Sequence, residues 1–337
     1  MTNGHRTSTR SDLVRVTVVA GGPESVLVAA RIATGLSTGS TPERVGVIAE
    51  VGSPEPDESV SWITVAALEG ERTEGCPCCR SRLDVMSSVR LLLERPRPVG
   101  RIIVLIESSR DLSTVTQTIL SDPDLQRLVE LDAVIVTVDA VSLATRIAVE
   151  IPFASALELQ RLAVADRILV SRADELTDDA LGRVMRSIRT VNRFGTIAAP
   201  AILPLDIGAL VDLHAWHGAP MIGPANASEP LLVAPDDELP MTIRCEVEGS
   251  LDPNAIDEWF DCLIAQHGVR LLRLQGAVVV VGEDHRVCCH GVRSYASSHS
   301  EAEHLPEHRS TQSLVVVVGY QLDAHSLRAS FLAALRD

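Results

Sequence analysis

Arg101-Ile102-Ile103-Val104-Leu105-Ile106-Glu107 places five apolar residues in a row with no polar alternation. A strand with one face in water alternates, whereas a strand covered on both faces does not. The stretch therefore predicts a parallel strand buried between layers of helix. Leu131 to Asp139 and Arg167 to Ser171 read the same way. Arg15 to Ala20 is a shorter β-branched run, ended by Gly21-Gly22-Pro23. Ser25 to Gly35 then has Val26, Ala29, Ala30 and Ala33 on one helical face. A strand is expected at Val45 to Ala49, and another apolar segment at Trp62 to Leu68. Arg82 to Glu94 is helical by its spacing of Leu83, Met86, Val89 and Leu93. The alternation continues to Ile197 to Pro204, so the expected fold class is α/β with a doubly wound parallel sheet.

Between Asp206 and Pro240 periodicity fades and Pro, Gly, Asp and His accumulate, as in a linker. From Met241 the pattern changes. A strand at Thr242 to Val247 leads to a helix at Pro253 to His267. Strands are expected at Val269 to Leu274, Ala277 to Val281 and Arg286 to Val292. A polar, His-rich loop over Ser294 to Gln312, a strand at Ser313 to Tyr320 and a helix at Ala324 to Leu335 close the chain. This order predicts a smaller α+β domain with helices on one face of a mostly antiparallel sheet. The expected organisation is a disordered tail at 1–13, a first domain at 14–205, a linker at 206–240 and a second domain at 241–337.

The chain has 337 residues, 46% of them hydrophobic, with a formal net charge of -15. Aromatics are only 3%, so its cores must be built from Val, Leu, Ile and Ala. A strongly acidic chain does not neutralise phosphates, which argues against direct DNA or RNA binding. All 30 basic residues are Arg. A phosphate-binding Lys and a Schiff-base Lys are therefore excluded. No apolar run reaches the roughly 20 residues that span a bilayer. The opening Met1 to Arg10 is polar, without the hydrophobic core of a secretory signal. Seven cysteines, odd in number and clustered, argue against a disulfide scaffold. A cytoplasmic protein with reduced thiols is expected.

Three of those cysteines fall in Glu74-Gly75-Cys76-Pro77-Cys78-Cys79, in an expected loop. Three thiolates at this spacing can converge on one soft or borderline metal ion, by default zinc. The fourth ligand must come from elsewhere in the fold. A second thiol group surrounds Cys288, Cys289 and His290, with His285 nearby. On a strand, Cys288 and His290 face one side and Cys289 the other, which fits buried structural cysteines. His299, His304 and His308 lie in the polar loop, and Cys245 and Cys262 are isolated and expected in the core.

The first strand–loop–helix stands where a nucleotide-binding sheet carries its phosphate loop. That loop, GxxxxGK[ST], needs glycines for amide approach, a Lys on the phosphates and a hydroxyl on magnesium. Here Gly21 keeps the turn, but Val26, Leu27 and Val28 occupy the glycine, lysine and hydroxyl positions, and Glu24 places a negative charge among them. At Ser171-Arg172-Ala173-Asp174, where an NKxD base-reading motif would sit, only Asp174 remains. Gly21 and Asp174 are thus the candidates for a residual nucleotide site.

Taken together, the sequence resembles the CobW family of metal-related P-loop GTPases. Gly75-Cys76-Pro77-Cys78-Cys79 matches the family's GCxCC, Glu107-Ser108-Ser109 its ExSG segment, and Val138-Asp139-Ala140 its VDA strand end. Ala165-Asp166 matches the end of its QxxxAD run, with Arg161 at the Gln position and Gln160 beside it. Leu274-Gln275-Gly276 and Val318-Gly319-Tyr320-Gln321-Leu322-Asp323 look like its C-terminal domain. The resemblance implies a P-loop-type sheet followed by that smaller domain, and GTP-dependent delivery of metal, often zinc. It also implies that Glu50, after Val47-Ile48-Ala49, joins Cys76, Cys78 and Cys79 as the fourth zinc ligand, although Ala49 replaces the usual Asn. The departures imply a dead or very weak GTPase, and Arg110 replaces the Gly of ExSG. Arg31 or Arg110 are the available substitutes for the missing Lys. An actinobacterial branch of the family is similar in being Arg-rich with a GCPCC cluster. That branch is linked to zinc starvation and to recruitment of a ribosome hibernation factor. The expected function is therefore a zinc-responsive, non-enzymatic adaptor whose partner is a protein on or near the ribosome. The alternatives are a GTP-dependent zinc metallochaperone and a thiol redox sensor.

Overall fold

The computed structural model describes residues 13–49, 59–64, 77–106, 111–151, 153, 155–199, 205–216, 239–300 and 312–336; the side chains of 77–83 and of residue 300 fall outside that description. In the first half, strands β1 (Val14–Ala20), β2 (Val45–Ala49), β3 (Val60–Thr64), β4 (Arg101–Ile106), β5 (Val129–Asp139), β6 (Arg167–Ser171) and β7 (Thr196–Ala198) form one sheet. All pair in parallel, in the order β3-β2-β4-β1-β5-β6-β7. Helices α1 (Glu24–Thr38), α2 (Pro77–Leu93), α3 (Leu112–Ser121), α4 (Ala140–Ala148), α5 (Ala156–Val164) and α6 (Asp178–Val191) make the crossovers. The expected doubly wound α/β sheet is present. Every residue of β2 and β4 is buried, as their unbroken apolar runs require. Gly46 on β2 is a close-approach glycine: a Cβ there would lie 2.6 Å from Leu92 Cδ1, so α2 settles directly onto β2.

The second half builds β8 (Met241–Glu248), α7 (Pro253–His267), β9 (Leu271–Val278), β10 (Val287–Val292), β11 (Tyr295–Ser300), β12 (Gln312–Gly319) and α8 (Ala324–Leu332). Its five strands are antiparallel, in the order β11-β10-β9-β12-β8. One face packs on α7 and α8 through Ile243, Trp259, Leu263, Val315, Val317 and Phe331. The other face turns toward the first sheet. Two expectations change here. The separate strands at Val269 to Leu274 and Ala277 to Val281 are one strand, β9. Gly276 does not break it; the carbonyl of Leu314 on β12 comes so near that a Cβ would sit 2.6 Å away. The loop expected from Ser294 onward instead forms the edge strand β11 over Tyr295–Ser300, paired to β10, while 301–311 lie outside the described residues. Its Ser-rich composition suits an edge strand with a solvated face, which sequence periodicity does not separate from loop.

The two sheets are joined by a buried ion pair. Arg273 on β9, 2% exposed, donates to Asp166 Oδ1 at 2.6 Å, to the Val164 carbonyl at 2.7 Å and to Gln275 Oε1 at 2.6 Å. Its guanidinium lies 4.3 Å from the Trp216 ring centroid and 4.8 Å from that of Phe194. The other oxygen of Asp166 accepts from Val134 N at 2.8 Å and from Trp216 Nε1 at 2.9 Å. Nearer β11, Gln126 donates to the Tyr295 hydroxyl at 2.8 Å, and Arg293 pairs with Asp111 at the start of α3.

A second network holds the amino edge of the first sheet. Arg101, 1% exposed, meets Glu43 at 3.1 Å, Asp132 at 3.4 Å and Asp212 at 2.5 Å. Burial pushes the Arg101 pKa down, but its bonds to Asp212 and Glu43 outweigh this and the net shift is upward. Burial pushes the Asp212 carboxyl up, and the hydrogen bond and charge of Arg101, with Arg15, more than reverse it. Residues 205–216, where sequence periodicity fades, pack closely: Leu210, Val211 and Trp216 are buried, and Asp132 accepts from the backbone of Asp212 and His214.

Candidate functional site

In an open parallel sheet, ligands bind at the carboxyl ends of strands whose outgoing connections diverge. Here β1 leads toward β2 on one side and β5 toward β6 on the other, so that point lies between β1 and β5. Gly21 ends β1 there with φ +149°. A Cβ on it would fall 2.0 Å from Thr137 Oγ1 and 2.8 Å from the Thr137 carbonyl on β5. The turn that follows is short. Ser25 donates from its backbone at 3.0 Å and its hydroxyl at 2.7 Å to the Gly22 carbonyl, and α1 is already helical at Glu24. The Glu24 carboxylate folds back over Gly22, where a Cβ would meet its Oε2 at 2.8 Å. Leu27, at the lysine position, is 40% exposed. Arg31 lies one turn further along α1.

Asp139 ends β5 and caps α4, accepting from the backbone of Val141 at 3.0 Å and Ser142 at 3.1 Å. Arg172, just beyond β6, adopts φ +52° and binds the same carboxylate at 2.9 Å, with Glu175 at 3.8 Å. Asp174 is exposed in the 3-10 turn that follows. Gly21 and Asp174 therefore share one edge of the sheet but stand two strands apart, about 10 Å at ordinary strand spacing. Asp139 and Arg172 hold the space between their strands with a charge pair.

Of the expected metal ligands, Glu50 and Cys76 lie outside the described residues. Cys78 and Cys79 do not lie in a loop, as the sequence suggested. Both are in the first turn of α2, which begins at Pro77. Proline suits that position, because its fixed φ is helical and its missing N–H is one that the first turn leaves without a helical partner. A cysteine at a helix amino end is more easily ionised. Leu92, near the other end of α2, sits on Gly46 of β2. The chain enters α2 after β3 and leaves it toward β4, so its first turn lies on the side of the carboxyl edge of the sheet, and β2 ends one residue before Glu50. Arg110 and the Glu107-Ser108-Ser109 segment also lie outside the described residues.

Among the described residues no three His, Cys, Asp or Glu side chains are closed on one metal position. Of the remaining cysteines, Cys245, Cys288 and Cys289 are buried. Burial pushes the Cys245 thiol up to about 11 and raises that of Cys289 further, with Cys288 adding to the latter. Cys262, expected in the core, is exposed, because it falls on the outer face of α7, away from Ile256, Trp259 and Leu263. The Arg273–Asp166 junction was not visible as a site in the sequence. The signals were an Arg in an otherwise apolar strand, Leu271-Leu272-Arg273-Leu274, and Asp166 in the family-like Ala165-Asp166 pair. No described helix is long and apolar enough to cross a membrane.

A parallel sheet of this order followed by an antiparallel sheet defines a P-loop-type nucleotide-binding fold with a smaller α+β appendage. The CobW/HypB/UreG nucleotide-binding domain matches residues 40–198, and the cobalamin synthesis protein cobW C-terminal domain matches residues 241–335. The chain belongs to the CobW family. Among solved structures it is similar to the Zn(II)-bound YjiA GTPase from E. coli, at 17% identity and a TM-score of 0.73, over 96% of this chain and 99% of that one. It is also similar to a Zn(II)-bound YjiA triple mutant in which one Glu and two Cys are changed to Ala, at 17% identity and a TM-score of 0.72 over the same shares. At this identity the two likenesses establish the fold.

Proposed function

We propose that this protein is a zinc-responsive adaptor on a CobW scaffold, without GTP turnover. Zinc is held by Cys76, Cys78, Cys79 and Glu50. The donor set suits the metal: three thiolates and a carboxylate complete a tetrahedron, and zinc's role there is to cross-link the segment after β2 to the start of α2. Zinc in the YjiA structures is in keeping with a metal role in the family.

The observation that carries the non-enzymatic reading is the closed turn after β1. Phosphoryl transfer is catalysed by positioning and charge stabilisation. Here an early helix start, a carboxylate over Gly22 and an exposed Leu27 replace the phosphate cradle. The Asp139–Arg172 pair occupies the base-reading side. Gly21 and Asp174 are what remains of a nucleotide site.

In this reading, residues 14–205 and 241–337 are the two units, joined by 206–240. Metal occupancy alters a protein-binding surface at the carboxyl edge, and the acidic chain suits a basic ribosomal or ribosome-bound partner. A zinc-starvation role, with recruitment of a ribosome hibernation factor, is what the resemblance to the Arg-rich, GCPCC-bearing branch of the family implies. Co-purification from zinc-replete and zinc-starved cells, with metal measured on the same samples, tests it. The expected result is a partner and a zinc content that change together. Magnesium-dependent GTP hydrolysis by the purified protein would replace this reading with a GTP-dependent metallochaperone.

A further inference from the structure

We propose that Cys288, His290 and His299 form a second site for one zinc-type divalent cation, on the face of the C-terminal sheet turned toward the first. The strand register carries the argument. Cys288 and His290 are two apart on β10 and so share a face. His299 on β11 lies directly opposite Cys288, and His290 pairs with Ser297, placing His299 on the adjacent diagonal. Opposite residues on one face of an antiparallel pair keep their Cβ atoms about 4.5–5.5 Å apart. Three soft or borderline donors are thus gathered on one patch by backbone pairing alone.

The face is fixed independently. His290 lies opposite Gln275 on β9, and Gln275 donates to the Ala215 carbonyl at 2.6 Å and accepts from Arg273, so this side faces the first sheet. Cys289 points the other way, into the core under α7 and α8, and takes no part. Cys288 and His290 are 1% and 7% exposed, and His299 is half-buried, so a bound ion would be screened from water.

The spacing fits one ion. The His290 and His299 ring centroids are 5.7 Å apart, with planes at 54°. With Zn–N near 2.0–2.1 Å, each ring centroid lies about 3.2 Å from the metal, and a tetrahedral angle puts the two about 5.2 Å apart. The observed centroid separation is thus about half an ångström wider than two imidazoles on one zinc ion would show. The three side chains are not closed on one point in the structure. Closure on one ion needs movement of the Cys288 and His299 side chains. A Cys-His-His set with water as fourth ligand is an ordinary donor set for zinc.

The test uses the full chain carrying Cys76→Ser, Cys78→Ser and Cys79→Ser, titrated anaerobically with Co(II). The expected result is one remaining equivalent of Co(II) with a thiolate-to-cobalt charge-transfer band, displaced by zinc. Adding Cys288→Ser should remove the band, and adding His299→Ala should weaken binding at least tenfold. Absence of Co(II) binding in the triple variant overturns the proposal, as does a band that survives Cys288→Ser. If Cys288→Ser fails to fold, His299→Ala alone decides, and unchanged affinity overturns the proposal. The triple variant already lacks the Cys76 cluster, so the outcome is independent of the first zinc site.

Discussion

Replacing Arg273 by Met removes one partner of the buried pair that joins the two sheets. Asp166 would be left with a charge 5% exposed as a side chain, satisfied only by Val134 N and Trp216 Nε1. Breaking a buried pair in this way costs about 3–5 kcal/mol, because the remaining charge stays desolvated. The same change removes the stacking over Trp216 and Phe194 and the donor to the Val164 carbonyl. With an unfolding entropy of about 2.1 cal/mol/K per residue, 337 residues give about 0.7 kcal/mol/K, so cooperative unfolding should shift down by about 4–7 °C. Asp166→Asn should cost a similar amount, since its amide would face the Arg273 donors. The double variant should then lose less than the sum of the two by at least about 1.5 kcal/mol, as groups in one network do. Thermal unfolding followed by circular dichroism and by tryptophan fluorescence measures all three, and Trp216 reports on the junction itself. A change below about 1 kcal/mol in Arg273→Met, or additivity within about 0.5 kcal/mol, would refute the view that this pair holds the sheets together.

Isothermal titration with GTP and magnesium should show no binding tighter than about 1 mM, given the missing phosphate Lys and the Glu24 carboxylate over Gly22. Gly21→Ala should lower stability by about 2–4 kcal/mol, through the clash with the Thr137 carbonyl and the positive φ, read by urea unfolding. In the zinc-loaded protein, thiol titration at neutral pH should find Cys262 as the fast-reacting group, with Cys245, Cys288 and Cys289 protected. Chelation should then release Cys76, Cys78 and Cys79 to the reagent, and no increase on chelation would count against the first zinc site. Folded Cys245 keeps its proton up to about 11, above the ordinary thiol value, so it adds stability that is present below about pH 9 and lost as pH rises to 11. Two pH units correspond to roughly 3 kcal/mol, and Cys245→Ala should flatten that part of the alkaline unfolding curve.

The first sheet was legible because its strands are covered on both faces. Arg167–Ser171 has the bounds that its apolar run indicated, β4 covers Arg101–Ile106 of the expected Arg101–Glu107 with Glu107 outside the described residues, and β5 extends back to Val129. The extension hides charged Glu130 in the strand beside Asp132, and nothing local shows that Arg15, Arg101 and the backbone of Asp212 and His214 satisfy the two. Gly276 in β9 carries the same lesson. From sequence a glycine between apolar runs marks a break; in the sheet it marks where β12 comes close. The loss of the phosphate-loop residues could be read residue by residue, but the length of α1 could not. Its one extra residue at the amino end, Glu24, accompanies the Ser25–Gly22 turn, which the pattern Gly21-Gly22-Pro23 does not specify, and three more residues extend it to Thr38. The Cys288–His290–His299 patch was half legible: the strand parity of Cys288 and His290 came from spacing, while His299 joins them only through the pairing of β10 with an edge strand that reads as loop.

What stabilises the first sheet lies away from its carboxyl edge. Arg101 with Glu43, Asp132 and Asp212 ties the amino edge, and Asp166 with Arg273 and Trp216 ties the flank that carries the second sheet. None of these groups belongs to the strand-to-helix turn after β1 or to the turn after β6. Changes at Val26, Leu27, Val28, Ser171 and Arg172 therefore leave both networks and the apolar interiors of β4 and β5 intact. A fold whose cohesion is placed in this way can lose its phosphate cradle without losing its shape. On the proposed function, the carboxyl edge is the part left to serve metal-dependent recognition. The same separation predicts that variants of the Cys76 cluster will unfold close to zinc-free wild type while changing metal content, whereas variants of Arg273 will unfold earlier with metal content unchanged.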